Sequence, residues 1–150
     1  MELILWRHAE AEDGVPDAAR ELTEKGLDQA KRMSAWLKLR LPENTLIIAS
    51  PTRRTQQTAM ALTSDFATKK EVVPGASVNS ILTAVNWPNE QGAVVVVGHQ
   101  PTLGEVASCL IPILPPGQKK KKGSVWWIRY QPKENLLEPV LHAVIYPEML

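Results

Sequence analysis

The chain has 150 residues, 44% of them hydrophobic, a size and composition that suit one domain spanning 1–150 around a substantial core. Its 17 basic and 16 acidic residues give a formal charge of +1, but four of the bases form the run Lys119 to Lys122, and the rest stand at 13 against 16. A nucleic-acid-binding face spreads its basic residues and interleaves aromatic ones, which a single lysine run does not do, so no nucleic-acid partner is expected.

No apolar run reaches the roughly 18 residues of a membrane span. The N-terminal Met1-Glu2-Leu3-Ile4-Leu5-Trp6 meets charge at Arg7 and lacks the basic start of a signal peptide. The expectation is a soluble, cytoplasmic protein. The lone Cys109 has no intrachain disulfide partner, which fits that compartment. No stretch reads as an oligomer interface, so a monomer is expected.

In chain order, Leu3 to Trp6 is a short apolar run that ends at the polar pair Arg7-His8, the pattern of a buried strand. Thr23 is placed to cap a helix whose apolar face is Leu27, Ala30, Met33, Leu37 and Leu41, closed by Pro42. Leu46 to Ala49 reads as a second buried strand, stopping at Ser50-Pro51. With Ser50 as cap and Pro51 in the first turn, a second helix is expected over Arg53 to Thr63. A third helix is expected over Val78 to Trp87. The β-branched run Ala93 to Val97 is the third buried strand, ending at Gly98-His99, and a fourth helix is expected from Thr102 with Leu103, Val106, Ala107 and Leu110 facing inward.

Ile111 to Gly123, with three prolines and the lysine run, reads as an exposed loop. Ser124 to Tyr130 and Val140 to Tyr146 are expected as final strands joined by a turn around Pro132 to Asn135. Trp126 and Trp127 would face opposite sides of the sheet, so at least one is core. The alternation of strands and helices implies an α/β fold, a three-layer α/β/α sandwich with a largely parallel central sheet. Ligands of such sheets bind beyond the carboxyl ends of the strands.

Three of these strands end in residues suited to phosphate: Arg7-His8, then Ser50 leading to Arg54, then His99. As parallel neighbours they would converge into an anion pocket containing two histidines. Arginine presents a fixed fork of donors that matches phosphate oxygens, and phosphoryl transfer depends mainly on positioning and electrostatics. A neutral imidazole at His8 suits nucleophilic attack on phosphorus, with the nearby arginines expected to hold its pKa down. His99 would hydrogen-bond the transferring oxygens, and Glu10, Glu12 and Asp13 follow the first strand near the pocket mouth. Two histidines flanked by arginines make a poor metal site, so neither metal nor cofactor is expected. His142, far from these motifs, reads as structural.

At these residues the chain resembles the histidine phosphatase superfamily, which includes the cofactor-dependent phosphoglycerate mutases. The resemblance rests on four ordered blocks over about the first hundred residues: Leu5-Trp6-Arg7-His8-Ala9-Glu10; Leu22-Thr23 with Gly26, Gln29 and Ala30; Ser50-Pro51 with Arg54, Gln57, Thr58 and Ala59; and Gly98-His99-Gln100-Pro101. It implies a phosphoglycerate mutase-like fold, His8 as the phosphorylated nucleophile, and Arg7, Arg54 and His99 around the phosphate; Glu10 is a further substrate-binding candidate from its place at the pocket mouth. The family spacing from Ser50 falls on Arg54 rather than Arg53. Ala9 replaces the family's usual glycine, a small residue that would tighten the turn.

Larger members carry an acidic proton donor in an insertion between the second arginine and the second histidine, usually beneath a cap. Here 45 positions separate Arg54 from His99, and the acids between them, Asp65, Glu71 and Glu90, do not resemble the donor motif. The short chain therefore resembles the SixA-type branch, which implies dephosphorylation of phosphohistidine on a phosphorelay or phosphocarrier domain. A protonated imidazole leaves without a strong enzymic acid, whereas an alkoxide needs one. The competing expectations are a small-molecule phosphomonoesterase and a phosphate-binding module without turnover.

Overall fold

The computed structural model describes residues 1–115 and 120–150. Its centre is a six-stranded sheet: β1 (Glu2–Arg7), β2 (Leu46–Ala49), β3 (Ala67–Thr68), β4 (Ala93–Gly98), β5 (Val125–Arg129) and β6 (Val140–Ile145). The strand order is β3-β2-β4-β1-β5-β6. Pairing is parallel from β3 through β1 and antiparallel from β1 to β5 and β6. Four helices flank the sheet: α1 (Glu24–Lys38), α2 (Arg53–Leu62), α3 (Val78–Ala84) and α4 (Thr102–Leu110).

The continuous apolar runs in the strands split by alternation into two cores. Leu3, Leu5, Val94, Val96, Trp126 and Ile128 face α3 and α4, meeting Ile81, Leu103 and Val106. Ile4, Trp6, Val95, Val97 and Trp127 face α1 and α2, meeting Met33, Leu37, Ala59 and Leu62. This is the expected three-layer sandwich. Each fully buried Leu, Ile or Val contributes about 1.5–3 kcal/mol, so both faces of the sheet need their helices. Trp126 and Trp127 are both buried, one in each core, because both faces of β5 are covered.

Local signals set most element boundaries. Thr23 caps α1, its hydroxyl oxygen accepting the Gly26 N–H at 2.9 Å. The helix ends at Lys38, short of Pro42, because Arg40 and Leu41 both donate to the Leu37 carbonyl in a tightened last turn. At α2 the N-cap position falls on Thr52 rather than Ser50, and Pro51 precedes the helix. Ser50 is drawn away by a tertiary partner described below. α3 stops at Ala84, three residues before the expected end.

The expectation of an exposed loop over Ile111 to Gly123 is corrected at three points. Ile111 packs into the core, and Lys120 and Gly123 are buried against the start of β5. Lys119 of the lysine run lies outside the described residues. No helix among the described residues is long and apolar enough to cross a membrane.

Candidate active site

The consecutive order β2-β4-β1 brings three strand ends side by side, with Arg7 in register with Gly98 and Ala49 with Val97. His8, Ser50 and His99 each follow one of these carboxyl ends, and Arg54 lies in the first turn of α2. All four are buried: His8 is 7% exposed, His99 3%, Arg54 4% and Ser50 0%. The two imidazole rings stand 5.4 Å apart between centroids.

The hydrogen bonds fix the tautomer of each ring. His8 Nδ1 lies 2.7 Å from the carbonyl oxygen of Ala9, which can only accept, so Nδ1 carries the proton and Nε2 keeps its lone pair. His99 Nδ1 lies 3.4 Å from Arg54 NH2, which can only donate, so His99 Nε2 is protonated and donates to Ser50 Oγ at 2.8 Å. Both rings are neutral at physiological pH. His8 is pushed down to about 4, first by burial and then by the charges of Arg54, Arg7 and Arg20. The arginines lower it as expected, and loss of hydration adds a larger effect in the same direction. His99 is pushed down to about 3 by burial, then by His8 and Arg54.

Donors outnumber acceptors here. The buried Nε–H groups of Arg7 and Arg54 have no acceptor among the described residues. Arg7 NH1 donates to the main-chain oxygen of Lys120 at 2.6 Å. Arg54 donates to the carbonyl of Asp17 at 2.9 Å and to its carboxylate at 3.1 Å. A pocket of uncharged imidazoles among fixed guanidinium groups suits an oxyanion, since the donors are already oriented. Among the described residues no three His, Cys, Asp or Glu side chains group so as to hold a metal ion.

Motif residues with no direct part in the pocket hold its frame. The Ala9 N–H donates to Thr58 Oγ1 at 3.1 Å, the Glu10 N–H to Gln29 Oε1 at 2.9 Å, and the Leu22 N–H to Gln57 Oε1 at 2.7 Å. Ala9 is fully buried and is not among the residues with positive φ, so its methyl group fits where the family has glycine. Gly26 is needed: a Cβ there would stand 2.0 Å from the Glu10 carbonyl oxygen.

The remaining candidates separate. The Glu10 carboxylate does not join the histidines but accepts the Thr23 hydroxyl at 2.8 Å, beside the positive end of α1. Arg53 is exposed and pairs with Glu21 at 3.3 Å. Asp65 and Glu90 line a groove with Leu46 and Val94, at the amino ends of the strands, away from the histidines. His142 on β6 packs edge-on against Trp127 at 5.5 Å. Sequence reasoning missed Asp17 and Arg20, whose side chains pair at 3.0 Å and bring a second charged layer to Arg54. It also missed Lys120. Nothing local marks Asp17 or Lys120 as part of the site, because the arginines that tie them to it, Arg54 and Arg7, lie 37 and 113 positions away.

The fold and this constellation define a phosphate-handling α/β enzyme class. The sequence profile of the histidine phosphatase superfamily (branch 1) matches residues 3–77, and the chain belongs to that family. Over 121 residues, covering 75% of each chain, it is 28% identical to phosphohistidine phosphatase SixA of Escherichia coli (strain K12). A solved structure of the protein histidine phosphatase SixA complexed with tungstate superposes with a TM-score of 0.85, covering 99% of each chain at 23% identity. A phosphoserine phosphatase of Entamoeba histolytica shares the fold with a TM-score of 0.74 at 18% identity, covering 99% of this chain and 98% of that one. The family match and the SixA likeness support a phosphatase of the SixA type.

Proposed function

We propose that this phosphatase hydrolyses phosphohistidine on a phosphorelay or phosphocarrier domain through a phosphorylated His8 intermediate, using no metal or organic cofactor. The observation that carries the reading is the His8 hydrogen bond: Nδ1–H is held by the Ala9 carbonyl at 2.7 Å, and Nε2 is left as a neutral nucleophile. The SixA likeness supports the substrate class.

In the first half-reaction the Nε2 lone pair attacks phosphorus while the P–N bond to the substrate imidazole breaks. Arg7 and Arg54 neutralise the equatorial oxygens and hold the group in line. The His99 Nε2–H, now on Ser50, is within the pocket to donate to a phosphoryl oxygen as negative charge develops. Water then attacks phospho-His8, and the neutral imidazole of His8 is regenerated with release of phosphate.

The test uses a phosphohistidine-bearing carrier domain, with phosphoserine and sugar-phosphate esters as parallel substrates. Release from the carrier by the wild type, lost in His8→Ala, together with acid-labile label on wild-type protein alone, is the expected result. Preference for the esters would move the reading to a general phosphomonoesterase. Binding of the phosphorylated carrier without release would make the protein a phosphate-binding module.

A further inference from the structure

The substrate assignment leaves open what handles the departing imidazole, and the answer lies in Asp17. It begins a single 3-10 turn, Asp17–Ala19, in the segment between β1 and α1. Its main-chain oxygen accepts from Arg54 NH1 at 2.9 Å, its Oδ2 from Arg54 NH2 at 3.1 Å, and its Oδ1 from Arg20 NH1 at 3.0 Å. The Asp17 side chain is 60% exposed, whereas that of Arg54 is 5% exposed. The carboxylate therefore stands on the solvent side of a guanidinium whose inner side meets His99.

That position matters because phosphoryl transfer runs roughly in line, with the leaving group opposite the nucleophile. His8 is the buried partner, so the leaving group faces outward. A phosphohistidine belonging to another protein enters from that same side. The carboxylate in contact with the phosphate-handling Arg54 at this mouth is Asp17.

Resting on the phosphohistidine reading above, we infer that Asp17 selects the leaving group by accepting the N–H of the protonated substrate imidazole at the pocket mouth. A carboxylate offers about four acceptor positions, and the two arginines occupy two, so the imidazolium is bound without breaking either pair. Hydrogen bonds from Arg20 and Arg54 hold the Asp17 carboxyl below its usual range, which keeps it an anion. Such a group is a poor acid toward an alkoxide and a good partner for a cation.

The step balances without an enzymic acid. The His8 Nε2–P bond forms and the substrate P–N bond breaks, its electron pair returning to the imidazole. The proton on the other ring nitrogen stays there, so the product is a neutral imidazole carrying one N–H, and Asp17 remains a carboxylate. An ester leaving group instead gathers negative charge toward the same anion, which raises its barrier. Asp17 thus favours P–N over P–O substrates by both effects.

The test is the ratio of kcat/KM for a phosphohistidine-bearing carrier domain to kcat/KM for phosphoserine, measured in wild type and Asp17→Asn. The ratio is insensitive to loss of folded enzyme, which scales both rates alike. Asp17→Asn keeps the main-chain contact to Arg54 and is expected to lower the ratio about 10- to 100-fold, the range for one hydrogen bond to a charged group. An equal fall for both substrates, or an unchanged ratio, overturns the inference and makes Asp17 a support for Arg54. A wild type that releases no phosphate from the carrier overturns the substrate reading itself and the inference with it, a result distinct from an unchanged ratio in an active enzyme.

Discussion

Lys120 lies with its Nζ 3.7 Å above the centroid of the Trp126 ring, only 1% exposed, while its own main-chain oxygen receives Arg7 NH1 at 2.6 Å. One residue thus combines a desolvated amine with the anchor of a pocket arginine. Its segment closes on β1 at further points: Gly123 N–H donates to the His8 carbonyl, Arg7 N–H to that of Ser124, and Trp6 Nε1 to that of Gly123.

Burial pushes the Lys120 amine down to about 6, and Nζ has no hydrogen-bond partner among the described residues. The folded state therefore binds fewer protons there than the unfolded chain between about pH 6 and the ordinary value of 10.5, and stability rises with pH across that window. Lys120→Met keeps the length and the main-chain contact. Replacing an unpartnered buried amine by an apolar group removes a desolvation penalty of about 1–3 kcal/mol, and about 2–4 °C in Tm per kcal/mol is usual at this size. Thermal melts should show a higher Tm for the variant at pH 7 and a smaller difference at pH 9. A lower Tm at pH 7 would mean that the amine is stabilising where it is.

The histidines give a pH dependence of the same sign at lower pH. His8 titrates at about 4 and His99 at about 3 in the folded protein, against 6.5 when unperturbed. As pH falls below 6.5 the unfolded chain takes up protons that the pocket refuses, so stability declines down to about pH 4 through His8 and on to about pH 3 through His99. Urea midpoints measured at pH 7 and 4.5 should fall for the wild type and fall less for His99→Gln. The proposed nucleophile stays neutral over the same range, so loss of active His8 by protonation should not begin until near pH 4.

Ser50→Ala removes the only acceptor described for the His99 Nε2–H and leaves a buried donor unpaired. Such a loss costs about 1–3 kcal/mol. If His99 acts on the phosphoryl group, kcat should fall about tenfold or more, with the Arg54 contact retained. Steady-state kinetics on the carrier substrate reads this directly, and an unchanged kcat would remove the Ser50–His99 pair from the proposed mechanism.

Gly26→Ala tests the frame behind His8. The added methyl group would meet the main-chain oxygen of Glu10 at 2.0 Å, an atom fixed by the Thr23 N–H at 3.0 Å and unable to swing aside. Overpacking of this kind costs about 1–3 kcal/mol. The strain falls two residues from His8, so a lower Tm should be accompanied by reduced turnover at temperatures where the protein is still folded.

The sequence by itself determined the four helices, five of the six strands and their layering, and missed the two-residue edge strand β3. Runs such as Val94 to Val97, apolar on both faces, require helices on both sides of the sheet, and the three-and-four spacing of Ala30, Met33 and Leu37 supplies one of them. It also named the strand ends His8 and His99, because a run along a regular element is a local property, while the family resemblance set Arg54 above Arg53. The tertiary structure alone decided which partners these groups meet. Ser50 reads locally as a helix cap, but His99, 49 positions away, takes its hydroxyl. Asp17 meets Arg54 across 37 positions, and Lys120 meets Arg7 across 113. The lysine run reads as solvated by composition, yet Lys120 is buried because the chain must return beneath β1 to begin β5, and the covering of a charge depends on that path rather than on its neighbours in sequence.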